Sequence, residues 1–119
     1  MAFPGTLDIQ YYRGDTYEFK IYPKDASGTA YSLADQTAVF TIADARGDGA
    51  TQIPAYAQVS SDLTHVLCAI TPTASESMPG GVDYVYDVEI SKAGSPYASV
   101  ITLLTGNIFV TEQVTGATA

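Results

Sequence analysis

Apolar and polar side chains alternate most regularly along residues 82–90 of this chain, Val-Asp-Tyr-Val-Tyr-Asp-Val-Glu-Ile. Because successive side chains of a β-strand point to opposite faces, the alternation predicts a strand with one face in the core. The predicted inner face carries Val82, Tyr84, Tyr86, Val88 and Ile90. The predicted outer face carries the acidic residues Asp83, Asp87 and Glu89.

Shorter segments repeat this alternation between clusters of turn-forming residues. The further predicted strands are 7–11, 17–21, 38–42, 66–70, 98–104 and 108–110, with a weaker one around 52–59. The turn clusters are 13–15, 25–28, 46–49, 79–81, 92–96 and 105–107. We expect the first two segments, 7–11 and 17–21, to be neighbouring strands. Strands this short and this closely spaced predict an all-β domain, a single antiparallel β-sandwich of about seven strands.

The one helical signal lies near residues 73–78. Thr73 and Glu76 have the spacing of a capping box, while Pro72 and Pro79 leave room for about one or two turns. This segment is predicted to be a short helical crossover between sheets.

The length of 119 residues suits one domain, predicted to span residues 1–119 with 115–119 as a mobile tail. The single cysteine, Cys68, allows no disulfide within the chain, and the cysteine and histidine spacings of structural zinc sites are absent. Packing alone is therefore expected to hold the fold.

The charge balance argues against two classes of partner. Thirteen acidic and five basic residues give a net charge of −8, which repels nucleic acid backbones and anionic membrane surfaces. The sequence has no basic start followed by an apolar stretch and no apolar run of 18 residues, so neither an export signal nor a membrane span is expected. Nine tyrosines, which combine a large contact area with a polar tip, favour a surface shared with neighbouring proteins.

Candidates for chemistry have simpler structural interpretations. His65 lies on the polar phase of its strand, and there is no second histidine or reactive cysteine to form a nucleophile and base pair. Cys68 lies on the apolar phase of the same strand and is predicted to be a core residue with a raised pKa. No catalytic residue is therefore predicted.

Two further patterns point to structure more than to ligands. The acid pairs Asp44 with Asp48 and Asp83 with Asp87 lack the alternating acids and central glycine of a calcium loop, so no metal or cofactor is expected. The tripeptide Arg-Gly-Asp, an adhesion signal for animal cell receptors, occurs at 13–15 and 46–48. Because glycine and aspartate both suit tight turns, turns account for both copies.

Exposed aromatic residues are the better candidates for function. Tyrosine is enriched at protein interfaces, and long strands with exposed edges invite pairing with another chain. Tyr12, Tyr22 and Val85 fall on the predicted outer faces of their strands and are the predicted contact residues.

The order of the motifs resembles one known family. Arg13-Gly14-Asp15-Thr16 before an alternating strand, Met78-Pro79-Gly80, then Tyr84-x-Tyr86-Asp87-Val88 and a closing segment 104–111 span nearly the whole chain. In this order they resemble the small immunoglobulin-like β-sandwich domain of tailed-bacteriophage virion proteins, such as the amino-terminal domain of baseplate upper proteins and small head or tail accessory proteins. The pattern usually has one residue between the glycine and the first tyrosine, whereas two follow Gly81 here.

The resemblance implies a non-enzymatic structural protein of the virion, made in the host cytoplasm. We expect a multi-copy accessory subunit that docks on the capsid as a decoration or cement protein, or on the tail. Its expected partners are major capsid or tail proteins, and a homo-oligomer is also compatible. The alternatives are a baseplate adaptor module, a carbohydrate- or receptor-binding sandwich, and a hydrolase with two convergent carboxylates in a pocket.

Overall fold

The computed structural model describes residues 4–25, 27–47, 49–78, 80–94 and 97–112. Within these ranges, eight strands and one short helix follow each other. They are β1 (Gly5–Thr6), β2 (Ile9–Tyr12), β3 (Tyr17–Ile21), β4 (Thr37–Ala43), β5 (Gln52–Val59), β6 (Val66–Ile70), α1 (Pro72–Ser75), β7 (Asp83–Lys92) and β8 (Ser99–Thr111). The predicted all-β fold is confirmed. The predicted tail, 115–119, lies outside the described residues.

The strands form one continuous sheet in the order β1-β8-β7-β4-β5-β6-β3, with β2 also paired to β8. The sheet curls into a half-barrel and does not divide into the two clearly separate sheets of a sandwich. The cause is β5, whose first half pairs with β4 and whose second half, from Tyr56 to Val59, pairs with β6. Both halves of the sheet thus share one strand.

The long strand β7 follows the sequence pattern closely. Tyr84, Tyr86, Val88 and Ile90 are buried, whereas the residues between them face outward and are only partly covered. Val82 was expected on the same inner face but precedes the strand and is exposed. The turn before β7 explains the difference, because Gly81 has a φ of 78° and its amide bonds to Val110 before the strand begins.

The core lies in the concave side of the curled sheet. Its centre is an aromatic cluster in which the ring of Phe40 lies 5.6 Å from that of Phe19 and 5.5 Å from that of Tyr86. Cys68 is fully buried beside these strands, as predicted. Its burial raises the pKa of the thiol to about 12.

The expectation that 7–11 and 17–21 are neighbouring strands is wrong. Strand β2 pairs in parallel with β8, and β3 pairs antiparallel with β6 in the other half of the sheet. The turn between them holds them apart, because Arg13 donates from Nε to the carbonyl of Ser75 and from Nη2 to that of Glu76. These two bonds anchor the turn on α1.

Residues 105–107 form no turn, and the two strands predicted around them are the single strand β8. Gly106 is needed there for a close approach, since a Cβ atom at this position would collide with the carbonyl oxygen of Leu7. Asn107 is held by the Asp8 carboxylate, which accepts bonds from its main-chain and side-chain nitrogens. Gly106 and Asn107 therefore make contacts between β8 and the segment that joins β1 to β2, and they do not form a turn.

The helical crossover exists, but its first residues differ from the prediction. The N-cap is Thr71, whose hydroxyl accepts a bond from the amide of Ala74 at 3.1 Å. Pro72 lies inside the first turn, where proline is favoured because its missing N–H has no partner to lose. The predicted cap Thr73 therefore lies within the helix.

Candidate interaction surface

Tyr12, the first predicted contact residue, ends the edge strand β2 and is 58% exposed. Its neighbour Tyr11 points the opposite way, into the core, and its hydroxyl donates to the carbonyl of Asp15 at 2.6 Å. Burial raises the pKa of Tyr11, so its phenol remains a donor at neutral pH. Tyr11 therefore has a structural role in the core, whereas Tyr12 presents an exposed ring.

Tyr22, the second predicted contact residue, follows β3 and is 53% exposed. Its ring centroid lies 5.0 Å from that of His65 at an interplanar angle of 42°. His65 in turn contacts the hydroxyl of Thr64 through Nδ1 at 3.0 Å. The histidine is part of a small surface cluster.

Val85, the third predicted contact residue, lies half-buried on the outer face of β7 between Ala43 of β4 and Asn107 of β8. Tyr12 ends β2 beside the turn 13–15, whereas Tyr22 follows the far end of β3, so the length of β3 separates the two rings. The three predicted residues therefore do not form one patch.

A shallow groove of about 250 Å³ crosses the outer face next to Val85, under the turn between β4 and β5. Arg46 spans it, donating from Nη1 to Asp87 at 3.0 Å and from Nη2 to the Thr105 hydroxyl at 2.6 Å. Burial alone would raise the pKa of Asp87, but the bonds from Thr105 and Arg46 and the charge of Arg46 outweigh it and lower the pKa. Asp87 is therefore ionised at neutral pH and cannot donate a proton there.

The two Arg-Gly-Asp sequences have different surroundings. At 13–15, Gly14 has a φ of 94° and the amide of Asp15 bonds to Tyr12, so this copy forms the predicted tight turn. Its arginine also contacts Glu112 at 3.3 Å. At 46–48, Gly47 has a φ of 99°, while Asp48 lies outside the described residues. Each arginine is engaged in contacts within the protein.

Of the two acid pairs, Asp83 with Asp87 forms no ligand cluster in the described part of the chain, and Asp48 of the other pair lies outside the described residues. Asp44 accepts a bond from the Thr51 amide, and Asp87 is paired with Arg46. Among the described residues, no group of three or more histidine, cysteine, aspartate or glutamate side chains could hold a metal ion. No helix in these same residues is long and apolar enough to cross a membrane.

Sequence reasoning missed two exposed apolar residues on the outer face of the sheet. Val39 of β4 is 49% exposed and Val100 of β8 is 60% exposed. A signal was present for Val39, which is an apolar residue on the polar phase of the segment 38–42. Such an exception to the alternation marks an outward apolar side chain.

The outward rows of β4 and β8 contain no charged residue. The row on β4 is Thr37, Val39, Thr41 and Ala43, and the row on β8 is Val100, Thr102, Thr105, Asn107 and Phe109. Between them, β7 presents Asp83, Asp87 and Glu89. We call this arrangement, an acidic strand flanked by two uncharged strands, the outer face.

Comparison with known families and with curated proteins finds no match to this chain. The fold and the outer face are therefore the basis for any functional assignment.

Proposed function

We propose that this protein is a non-enzymatic structural subunit of a tailed-bacteriophage virion, an accessory protein that docks on the capsid or the tail through the outer face. The observation that carries the proposal is the absence of charge from the outward rows of β4 and β8 in a chain with a net charge of −8. Charged residues are depleted at the centre of protein interfaces, whereas solvated surfaces retain them. The two flanking rows of the outer face thus have the composition of a covered surface, and the acidic strand β7 lies between them.

The strand order supports the resemblance on which the virion setting rests. In immunoglobulin-type domains, strands C, F and G are neighbours in one sheet, and B and E are neighbours in the other. Here β4, β7 and β8 are neighbours, and β3 pairs with β6. These relations agree with an immunoglobulin-like arrangement in which β5 joins the two halves.

The partner surface follows from the chemistry of the outer face. Val39 and Val100 call for apolar contacts, and the acidic side chains of β7 call for basic groups between them. A decoration or cement protein on a capsid needs such complementarity across subunit seams, and a tail or baseplate adaptor would use it in the same way. We favour the capsid.

The groove beside Val85 gives the carbohydrate-binding alternative less support than the outer face gives to docking on another protein. Sugars are commonly held against exposed aromatic rings, and tryptophan is absent from the chain. Among the described residues that line the groove, the only aromatic one is Tyr86, whose side chain is buried in the core. A glycan array with the purified protein tests this alternative, and binding to a defined sugar class would favour it.

Mass spectrometry of purified virions tests the main proposal. We expect this protein in a fixed stoichiometric ratio to the major capsid or major tail protein after gradient purification. An abundant host protein from the lysate serves as the control for carry-over. Absence of the protein from the particles, or an amount no higher than that control, would refute the proposal. Density in an image of the particle would then assign the head or the tail.

A further inference from the structure

Strand β3 lies at one end of the sheet and pairs with β6 on one side. Within the described ranges, no other backbone bonds reach Tyr17–Ile21 from its second side. An edge strand of this kind presents unpaired amides and carbonyls to which another strand can add. The opposite end of the sheet is less suitable, because β1 has two residues and β2 has four, with Leu7 and Asp8 interrupting them.

The side chains of β3 have opposite charges at symmetric positions. Glu18 and Lys20 flank Phe19, and both are exposed on the outer side of the strand. In an antiparallel pair centred on Phe19, each Glu18 would lie directly opposite Lys20 of the other strand. Opposite charges at facing positions stabilise antiparallel strands, and like charges destabilise them.

We infer that β3 pairs antiparallel with β3 of a second copy of this chain, about a two-fold axis at Phe19. This pairing continues the sheet from one copy into the next. The inference goes beyond the proposed function and does not depend on it, because it concerns the isolated protein.

The charges select this register over its neighbours. A two-fold axis at Glu18 would oppose the two glutamates, and an axis at Lys20 would oppose the two lysines. A parallel pairing in register would place like charges beside each other at both positions. A lysine alone would protect the edge from pairing, but the glutamate two residues before it makes one arrangement favourable.

The inner side of β3 also favours a partner strand. Tyr17, Phe19 and Ile21 pack against the core but remain only partly buried, because no strand covers their free side. A second copy of β3 would remove more of these side chains from water. Five paired residues span only about 17 Å, so the pairing buries less surface area than a standard protein interface. The dimer is therefore expected to be weak and concentration-dependent.

Charge reversal at the two positions tests the pairing. Sedimentation velocity of the wild-type protein in 0.15 M salt should show a concentration-dependent dimer, since the Debye length of about 8 Å screens the distant charges of each copy. Glu18→Lys alone and Lys20→Glu alone place like charges opposite each other twice per dimer. Each should raise the dimer Kd at least about tenfold.

Variants that restore charge complementarity between the two strands test the pairing more stringently than the single variants do. The double variant Glu18→Lys/Lys20→Glu exchanges the charges and should dimerise with a Kd within about threefold of the wild-type value. An equimolar mixture of the two single variants should form a heterodimer, because one strand then carries two lysines and the other two glutamates. Asp83→Lys and Lys92→Glu, at exposed positions of β7 away from β3, are control charge reversals and should leave the Kd unchanged.

Circular dichroism melting establishes that each variant is folded before its association is compared. A monomeric wild-type protein at millimolar concentration would overturn the inference. A dimer that persists unchanged in the single variants would overturn it as well, and so would a double variant or mixture that fails to regain association.

Discussion

The hydroxyl of Tyr86 on β7 donates a 2.6 Å hydrogen bond to the carbonyl oxygen of Leu7, which lies 79 positions earlier between β1 and β2. Gly106 of β8 lies at the same point, because a Cβ atom there would collide with Leu7 and approach the Tyr86 ring to 3.2 Å. Burial raises the pKa of Tyr86, so the phenol keeps the proton that it donates. One tyrosine thus fixes the amino-terminal segment on the sheet.

Removing this hydroxyl should reduce stability. Tyr86→Phe keeps the ring in the aromatic cluster but loses the bond to Leu7, and we expect the free energy of unfolding to fall by about 1 kcal/mol. Urea denaturation measures the change. Tyr84→Phe is the control, since no bond of the Tyr84 hydroxyl is found among the described residues, and it should change stability by less than about 0.5 kcal/mol. Equal effects of both variants would contradict the role given to Tyr86.

A methyl group at Gly106 should be far more damaging than one at Gly5. Gly106→Ala forces the Leu7 backbone away, and we expect a loss of more than about 3 kcal/mol or failure to fold. Gly5→Ala is the matched control on β1, where the added Cβ would lie at an ordinary 3.5 Å from Leu104. Thermal melting compares the two proteins. Similar melting temperatures would show that the backbone at Leu7 does not closely approach Gly106.

The two Arg-Gly-Asp arginines should contribute unequally to stability. Arg13→Ala breaks the bonds to Ser75 and Glu76 that anchor the turn on α1, and we expect a loss of about 2 kcal/mol. Arg46→Ala removes a largely exposed ion pair with Asp87, which is expected to cost less than about 1 kcal/mol. Urea denaturation of both variants tests this order. A larger loss of unfolding free energy in Arg46→Ala than in Arg13→Ala would contradict the greater structural role given to Arg13.

Cys68 should make stability fall at alkaline pH. Its pKa rises from 9.0 to about 12 on folding because the thiol is buried. Below pH 9 the thiol is protonated in both states and contributes no pH dependence. Above pH 9 the unfolded chain loses this proton first, so the unfolded state gains stability as the pH rises toward the folded pKa. Unfolding free energies at pH 8, 9 and 10 should decline less in Cys68→Ala than in the wild type, and parallel declines would contradict the assignment.

A charge in either uncharged row of the outer face should weaken docking without unfolding the protein. Val39→Lys and Val100→Lys each place an ammonium group in an uncharged row, and we expect at least a tenfold loss of binding to particles that lack the protein. Leu63→Lys is the control, an exposed apolar residue in the loop between β5 and β6. Co-sedimentation with such particles measures binding. Unchanged binding of both outer-face variants would exclude this face as the docking surface.

Alternation predicted the strands well where one face is buried and the other is solvated. It gave the inner residues of β7 and placed Cys68 in the core. It failed at Gly106, because a glycine required by a nearby backbone has the same sequence appearance as a glycine in a turn. It also could not show that β5 changes partner after Ala55, since alternation defines faces of a strand but not its neighbours.

The candidate surface was only partly accessible to prediction. Tyr12 and Tyr22 are exposed, as an outer-face position implies, but their separation depends on the fold of the turn between β2 and β3. The uncharged rows combine residues from strands more than 50 positions apart in the sequence. Their meeting on one face follows from the register of β4, β7 and β8, which no single segment encodes.

The change of partner within β5 also determines how the molecule bears mechanical load. Two layers held only by interlocking side chains can slide past each other, because no backbone bond crosses between them. Here β5 is bonded to β4 at one end and to β6 at the other, so a pull on either half is carried by the polypeptide itself. Shearing the halves apart requires rupture of a hydrogen-bonded strand, and the protein resists deformation as one shell.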